Sequence, residues 1–359
     1  MHCINQHSTD NFTLYHGDCC EVIRGIPDNS IDFCIHSPPF STLYIYSDSE
    51  ADMGNSASNE EFLQHYAYLI KELFRVTVPG RLCAVHCKDL PKYQTRDGEA
   101  GLIDFPGMII QEFEESGWTY HSHVTIWKCP VTERERTNNH GLLHKTICRD
   151  SSAVRQGMAD YLLVFRKNTT GTLLSDKPVS RPRGLQRFVG DPRFDPVSGI
   201  DWHPSPYART GKRGVTLGSA MLGEETEDDI DKSILIWRRY AEPVWWDINQ
   251  TDVLNHKVAT TSEDEKHICP LQIDLIKRAI DLWTNPGDVV LTPFAGIGSE
   301  VVGAIELGRK GIGIELKESY FRWAIKNCQQ AEFEATRPTL FDEGETATAA
   351  LSPPELIDL

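Results

Sequence analysis

Short apolar runs, most of them followed by a helical stripe, recur in the first and last parts of the chain. Phe12–Tyr15, Ile31–Ile35, Arg81–Cys87, Trp118–Trp127, Tyr161–Phe165, Asp288–Leu291 and Gly311–Glu315 read as strands. Phe62, Tyr66, Leu69, Leu73 and Val76 fall at helical spacing within residues 60–79. Further helices are expected up to Ile26, over Phe105–Ser116, over Leu271–Trp283 and over Glu300–Leu307. Strands alternating with helices predict an α/β protein with a doubly wound sheet. The pattern lapses over residues 168–262 and again after Gln330. The expected organisation is therefore one half-domain over 1–167, an insert over 168–262, the second half over 263–330, and a flexible polar tail over 331–359.

Two stretches carry candidate chemistry. The first follows the apolar run at Ile31: Ser37-Pro38-Pro39-Phe40. Two prolines cannot donate to a sheet ladder and hold the residues before them extended. They fix Ser37 at the carboxyl end of a strand, where open α/β sheets bind their ligands. A small hydroxyl, two rigid rings and an aromatic suit a flat molecule with polar edges; a proline-rich turn is the plainer reading. The second stretch is Thr292-Pro293-Phe294-Ala295-Gly296-Ile297-Gly298-Ser299, between a strand and a helix. Glycines there let backbone approach a ligand at a helix start. Glu315 ends the next strand, about 20 residues on, where a Rossmann-like site has its ribose-binding acid.

Together these stretches resemble the DNA amino-methyltransferases, whose catalytic tetrapeptide is Asp/Asn/Ser-Pro-Pro-Tyr/Phe/Trp and whose cofactor loop is Asp-Pro-Phe-x-Gly-x-Gly. Here the catalytic motif precedes the cofactor loop, the order of the family's permuted β group. The resemblance spans roughly 12–167 and 266–330. It implies a Rossmann-like sheet, S-adenosyl-L-methionine as cofactor, double-stranded DNA as partner, and a target-recognition region in the insert. Ser37 Oγ and the Pro38 carbonyl would accept hydrogen bonds from the exocyclic amine of a flipped base, with Phe40 stacked on it. The cofactor-binding candidates are Asp18, His267, Thr292, Pro293, Phe294, Ala295, Gly296, Gly298, Ser299 and Glu315; Asp18 also suits a helix cap and His267 a helix start. Thr292 departs from the family's Asp. Ser first and Phe last are commoner in the cytosine-N4 enzymes, so cytosine is expected, with N6-adenine as the alternative. Methylation of RNA or of a protein amide is disfavoured by the motif order and the basic insert. A DNA-binding protein with a decayed site is a rival of another class.

The net charge of −16 argues against a nucleic-acid partner, but its distribution reverses that inference. Residues 166–213 hold ten Lys and Arg against four Asp, with Phe188, Trp202 and Tyr207 interleaved. Such clustering suits phosphate contacts, and Arg181, Arg183, Arg187, Lys212 and Arg213 are the DNA-binding candidates. An acidic run, Glu224–Asp231, follows as a solvated stretch, and the Trp237–Tyr240 and Val244–Asp247 clusters suggest a small packed subdomain. Cys129, His140, His144 and Cys148 offer metal-ligand types, but no ligands pair across short turns; the arginines and lysines among them favour DNA-backbone contact, and no metal is expected. Residues 41–59 read as a mobile loop able to close over a base. The ten cysteines, without any Cys-x-x-Cys, read as reduced thiols of a cytoplasmic protein that has no signal peptide and no membrane span. Arg337–Asp342 resembles, without its leading Gln, the Gln-x-x-Leu-Phe peptides that dock on bacterial sliding clamps, implying at most a weak contact; a homodimer stays open.

Overall fold

A computed structural model of the protein describes residues 3–39, 52–137, 143–169, 177–179, 240–254 and 271–336. Its strands are β1 (Asn5–Ser8), β2 (Phe12–His16), β3 (Ile31–His36), β4 (Thr77–Cys87), β5 (Leu90–Lys92), β6 (Gly101–Ile103), β7 (Thr119–Ile126), β8 (Asp160–Arg166), β9 (Val244–Trp245), β10 (Val289–Thr292) and β11 (Lys310–Glu315). Its helices are α1 (Cys19–Ile23), α2 (Asn59–Val76), α3 (Gln94–Asp97), α4 (Phe105–Glu115), α5 (Pro130–Thr137), α6 (His144–Arg149), α7 (Ile273–Trp283), α8 (Ser299–Glu306) and α9 (Glu318–Thr336).

Nine of these strands form one sheet in the order β1-β2-β11-β10-β3-β4-β8-β7-β9. The central block, from β2 to β4, is parallel throughout. Strands β8 and β1 run antiparallel to their neighbours on either side of it. Every residue of β3 is buried, as a parallel strand covered on both faces requires. One cover packs α1, α2 and α4 against Cys34, Cys83, Leu291 and Ile314. The other packs α7 against Phe33, Ile35 and Val290, and α8 and α9 against Phe12 and Leu14. The architecture is the expected doubly wound α/β sheet. Because β2, β11, β10, β3 and β4 all point the same way, Asp18, Glu315, Phe294, Ser37 and His86 come to one edge.

Several local readings change. The helix expected over 60–79 ends at Val76, and the strand expected from Arg81 begins at Thr77 as β4. Thr77 pairs with Ile31, and pairing resumes at Leu82 opposite Phe33. The extra residues bulge, with Gly80 at φ +83° and its N–H bonded to Lys167 O. β1 and the β5–β6 hairpin were missed, since neither alternates apolar with polar residues. Of the Trp237–Tyr240 and Val244–Asp247 clusters, expected as a small packed subdomain, residues 237–239 lie outside the described residues, and the second cluster instead joins the main sheet through β9. Trp245 in β9 is fully buried, pairs with Ile126, and lies under Arg278, which is bonded to Asp247 at 2.8 Å. Of the loop expected over 41–59, residues 40–51 lie outside the described residues. Residues 53–55 form one 3-10 turn, with Met53 packed in the core.

The β4 bulge brings Arg81 inward to the amino-terminal ends of β3 and β10. Its guanidinium sits 2.5 Å from Asp288 and 3.5 Å from Asp32, all three buried. Asp32 also accepts from Val289 N at 2.9 Å. Lys177 faces both carboxylates from the outer side, at 2.8 and 2.9 Å. Removing one partner of a buried ion pair leaves an uncompensated charge, at a cost of about 3–5 kcal/mol. Arg81→Met is expected to lower unfolding stability by about 3 kcal/mol, because Lys177 still faces both acids; the urea midpoint measures this.

Candidate active site

Ser37 follows β3 directly and is half-buried, with Pro38 and Pro39 buried behind it. Phe40 lies outside the described residues. The Ser37 hydroxyl lies 3.3 Å from His86 Nδ1 and 3.3 Å from the His86 carbonyl oxygen. His86 Nε2 is 3.0 Å from Asp160 Oδ2, and Lys128 Nζ is 2.7 Å from the same oxygen. Burial pushes the Asp160 carboxyl upward. The hydrogen bond from His86, with the charges of His86, Lys128 and Lys88, outweighs that and holds it well below the ordinary carboxylate range. His86 and Asp160 face each other because β4 and β8 pair antiparallel with His86 opposite Leu162. Sequence reading missed His86, Asp160 and Lys128, since each sits at the end of an apolar strand with nothing to mark it as belonging to Ser37.

Below this group, His36 ties β3 to its helical cover. Its Nε2 is 2.6 Å from Tyr66 Oη, its Nδ1 is 3.4 Å from Cys34 Sγ, and its ring lies 5.7 Å from that of Phe294. Burial drives its pKa down to about 3, so it is neutral. Cys34, His36 and Cys83 bring three ligand atoms within 4.8 Å, but they are sealed in the core. In the other metal-type run, Cys148 Sγ lies 3.9 Å from His144 Nδ1 at the exposed surface; His140 is outside the described residues. The described cysteines are free thiols.

The loop after β10 is locked against β11. Ala295 N donates to Ile314 O at 2.8 Å, and Gly296 N donates to Glu315 Oε2 at 2.7 Å. Gly296 and Gly298 have φ of +53° and +94°, which an L side chain rarely adopts. A Cβ on Gly298 would also press on Ala324 and Cys328 of α9. Pro293 and Ser299 are buried, and Phe294 is half-buried. Thr292 Oγ1 is buried without a partner. Asp18 stands beside this loop, because Gly17 N donates to Glu315 O at 3.0 Å. Its carboxylate caps α1 through Cys20 N at 2.9 Å, so the cap reading describes it, and the cap leaves it at the same edge. His267 and the basic candidates Arg181, Arg183, Arg187, Lys212 and Arg213 lie outside the described residues.

Two carboxyl groups near the glycine loop have raised pKa values. Glu315 is pushed up to about 7 by burial, against the N–H groups it accepts from, with the charge of Asp52 adding to the rise. Glu300, in the first turn of α8 and 5% exposed, is pushed up to about 8 by burial and by the like charge of Glu315. Neither forms a salt bridge among the described residues. Sequence reading missed Glu300, because an acid in a first helical turn is ordinary. It also missed Tyr320, whose buried hydroxyl has no hydrogen-bond partner among the described residues and is pushed up to about 12 by burial and Glu315. A buried acid, Glu300, and a half-buried one, Glu315, with no cation paired to either among the described residues and with the orphaned hydroxyls of Thr292 and Tyr320, fit a cationic ligand that carries hydrogen-bonding groups.

A parallel sheet with a glycine loop, a strand-end acid and a second motif at the neighbouring strand defines the Rossmann-like methyltransferase fold. The profile of the DNA methylase family, N6_N4_Mtase, matches residues 31–327, and the chain belongs to that family. It is 24% identical over 311 residues to the type II methyltransferase M.BamHI of Bacillus amyloliquefaciens, covering 86% of this chain and 55% of that one. The chain thus spans about half the length of that relative. A protein of Thermus thermophilus described as a DNA modification methylase, complexed with S-adenosyl-L-methionine, shares the fold with a TM-score of 0.54 and 20% identity, over 90% of this chain and 96% of that one. The cytosine-N4-specific PvuII DNA methyltransferase does so with a TM-score of 0.55 and 16% identity, over 91% and 90%.

The raised carboxyls make stability depend on pH. Between the ordinary value of 4.5 and about 8, Glu300 and Glu315 hold more protons in the folded ligand-free protein than in the unfolded chain. Stability contributed by these groups is therefore greatest below pH 4.5 and falls as pH rises through that window. Glu300→Gln is expected to flatten this fall, as read by urea midpoints at pH 5.5 and 8.5.

Proposed function

We propose that the protein is a site-specific DNA methyltransferase that transfers the methyl group of S-adenosyl-L-methionine to the exocyclic amine of a flipped base, with cytosine N4 favoured. The observation that carries this reading is the convergence of Ser37 and the Phe294–Ser299 loop. They lie far apart in sequence yet follow β3 and β10, which pair in parallel with Leu291 opposite Cys34. The cofactor brings a methyl group already activated on a sulfonium. Glu315 holds its ribose hydroxyls, and Glu300 provides the carboxylate that the loop lacks at Thr292, facing the cofactor's positive charge. Asp18 borders the adenine, and the 293–299 backbone packs against the nucleoside.

Ser37 Oγ and the Pro38 carbonyl accept hydrogen bonds from the target amine, whose lone pair is otherwise delocalised into the ring. Holding that nitrogen in line with the methyl is the main source of acceleration. Phe40 covers the base face. Arg181, Arg183, Arg187, Lys212 and Arg213 meet the phosphates of the duplex, and His267 borders the methionine end of the cofactor. A weak clamp contact through Arg337–Asp342 and a homodimer belong to the same reading. Cytosine is favoured by the Ser-Pro-Pro-Phe tetrapeptide.

Nucleoside mass spectrometry on DNA from cells making the protein is expected to show N4-methylcytosine, absent with Ser37→Ala. N6-methyladenine instead would keep the reaction and change the base. Neither product, with RNA also unmodified, would sink the reading. Cofactor binding offers a second check. A cation placed beside Glu300 and Glu315 favours their ionised forms, so binding at pH 7 releases protons and tightens as pH rises from 6 to 8. Calorimetry in buffers of different ionisation enthalpy is expected to show this release in the native protein and less of it in Glu300→Gln.

A further inference from the structure

Methyl transfer to an amine leaves two tasks that a lone hydroxyl performs poorly. Ser37 must present a lone pair to the amine, so its own hydrogen has to point elsewhere. The nitrogen, once methylated, carries a positive charge until it loses a hydrogen, and a serine hydroxyl is a feeble base. The surroundings of Ser37 answer both.

Asp160 is held ionised by His86 and Lys128, and a carboxylate only accepts hydrogen bonds. His86 Nε2, 3.0 Å from it, therefore carries the ring hydrogen. With the hydrogen on Nε2, Nδ1 can act as an acceptor, and it lies 3.3 Å from Ser37 Oγ; the His86 backbone oxygen lies at the same distance as a second acceptor for the Ser37 hydrogen. The group is rigid. His86 and Asp160 are 7% and 6% exposed, and Lys128 binds the same carboxylate oxygen at 2.7 Å. The charged groups facing the ring are Asp160 from β8 and Lys128 after β7. Farther off, Lys88 acts on Asp160 while pairing with Glu133 of α5 at 3.4 Å. The neighbouring Cys87 thiol is pushed up by burial and by Asp160, and stays neutral.

We propose that His86, oriented by Asp160, is a positioning residue that draws the Ser37 hydrogen onto Nδ1 and takes up the amine proton through Ser37. This rests on the methyltransferase reading above. As the nitrogen lone pair forms the new N–C bond, the C–S electron pair stays with sulfur. The nitrogen then gives one proton to Ser37 Oγ, while the Ser37 hydrogen passes to His86 Nδ1. The resulting imidazolium is stabilised by Asp160 and later releases its proton to water. The order of groups is that of a Ser-His-Asp relay, here polarising a hydroxyl as acceptor and base rather than as nucleophile.

The test is single-turnover transfer of labelled methyl from S-adenosyl-L-methionine to DNA grown without methylation, over pH 5.5–9. Calorimetric affinity for the cofactor and binding affinity for DNA are measured beside it. In the native protein the rate is expected to fall at low pH, since the relay needs a proton acceptor beside Ser37. His86→Asn keeps an acceptor toward Ser37 but no base. It is expected to slow transfer by about 10²- to 10⁴-fold and to lose that low-pH fall, with both affinities within about threefold. Asp160→Asn, which favours the other tautomer, is expected to slow transfer comparably. His86→Asn at the native rate with the native pH profile would overturn the proposal. So would a rate loss matched by an equal loss of cofactor or DNA affinity, which marks a structural role. A native protein that binds no cofactor and methylates no DNA overturns the functional reading itself.

Discussion

The parallel pairing of β3 with β10 is the constraint from which the rest follows. It joins Asp32 and Val289, 257 positions apart, with a direct hydrogen bond. One end of the seam is closed by Arg81 between two buried acids, and the other end leads to Ser37 and the glycine loop. The same pairing that buries Asp32 and Asp288 at the amino-terminal edge sets Ser37 and Phe294 side by side at the carboxyl edge. Neither half of the site has a fixed place without the seam, because each is only the continuation of a strand.

Charge is distributed in keeping with that polarity. At the closed end, acids and bases neutralise one another in contact. At the other end, the buried Glu300 and the half-buried Glu315 have no paired cation among the described residues, and their raised pKa values record the mismatch. The next strand pair, β4 and β8, carries the opposite solution: Asp160 is over-compensated and stays ionised, which fixes the tautomer of His86. Three acids within one edge of a sheet are thus set to different protonation by their neighbours alone.

Much of this was legible in residue order. The apolar runs and stripes gave the doubly wound sheet, and Ser37, the glycine loop and Glu315 stood out because prolines, glycines and a strand-end acid are uncommon in that arrangement. What stayed hidden depends on pairing register. His86 meets Asp160 only because β8 runs antiparallel to β4, and no local pattern states that. Glu300 looked like any acid at a helix start until its burial was known. The strand expected from Arg81 starts four residues earlier, because the chain absorbs Pro79 and Gly80 in a bulge of β4. Trp245 looked like part of an insert, yet two residues of strand suffice to add it to the main sheet.

The strand order also has a consequence for how the protein is made. β10 and β11 fill the centre of the sheet, between β2 and β3, although they are translated long after both. At about 5–20 residues per second, the interval between β3 and β10 is on the order of tens of seconds. Throughout it the nascent chain holds two bare parallel edges with no neighbour yet synthesised, an arrangement open to mispairing. Ser37 and its neighbour His86 on β4 leave the ribosome early, whereas the glycine loop on the other side of Ser37 follows only with β10, so a chain interrupted before β10 carries half of the site.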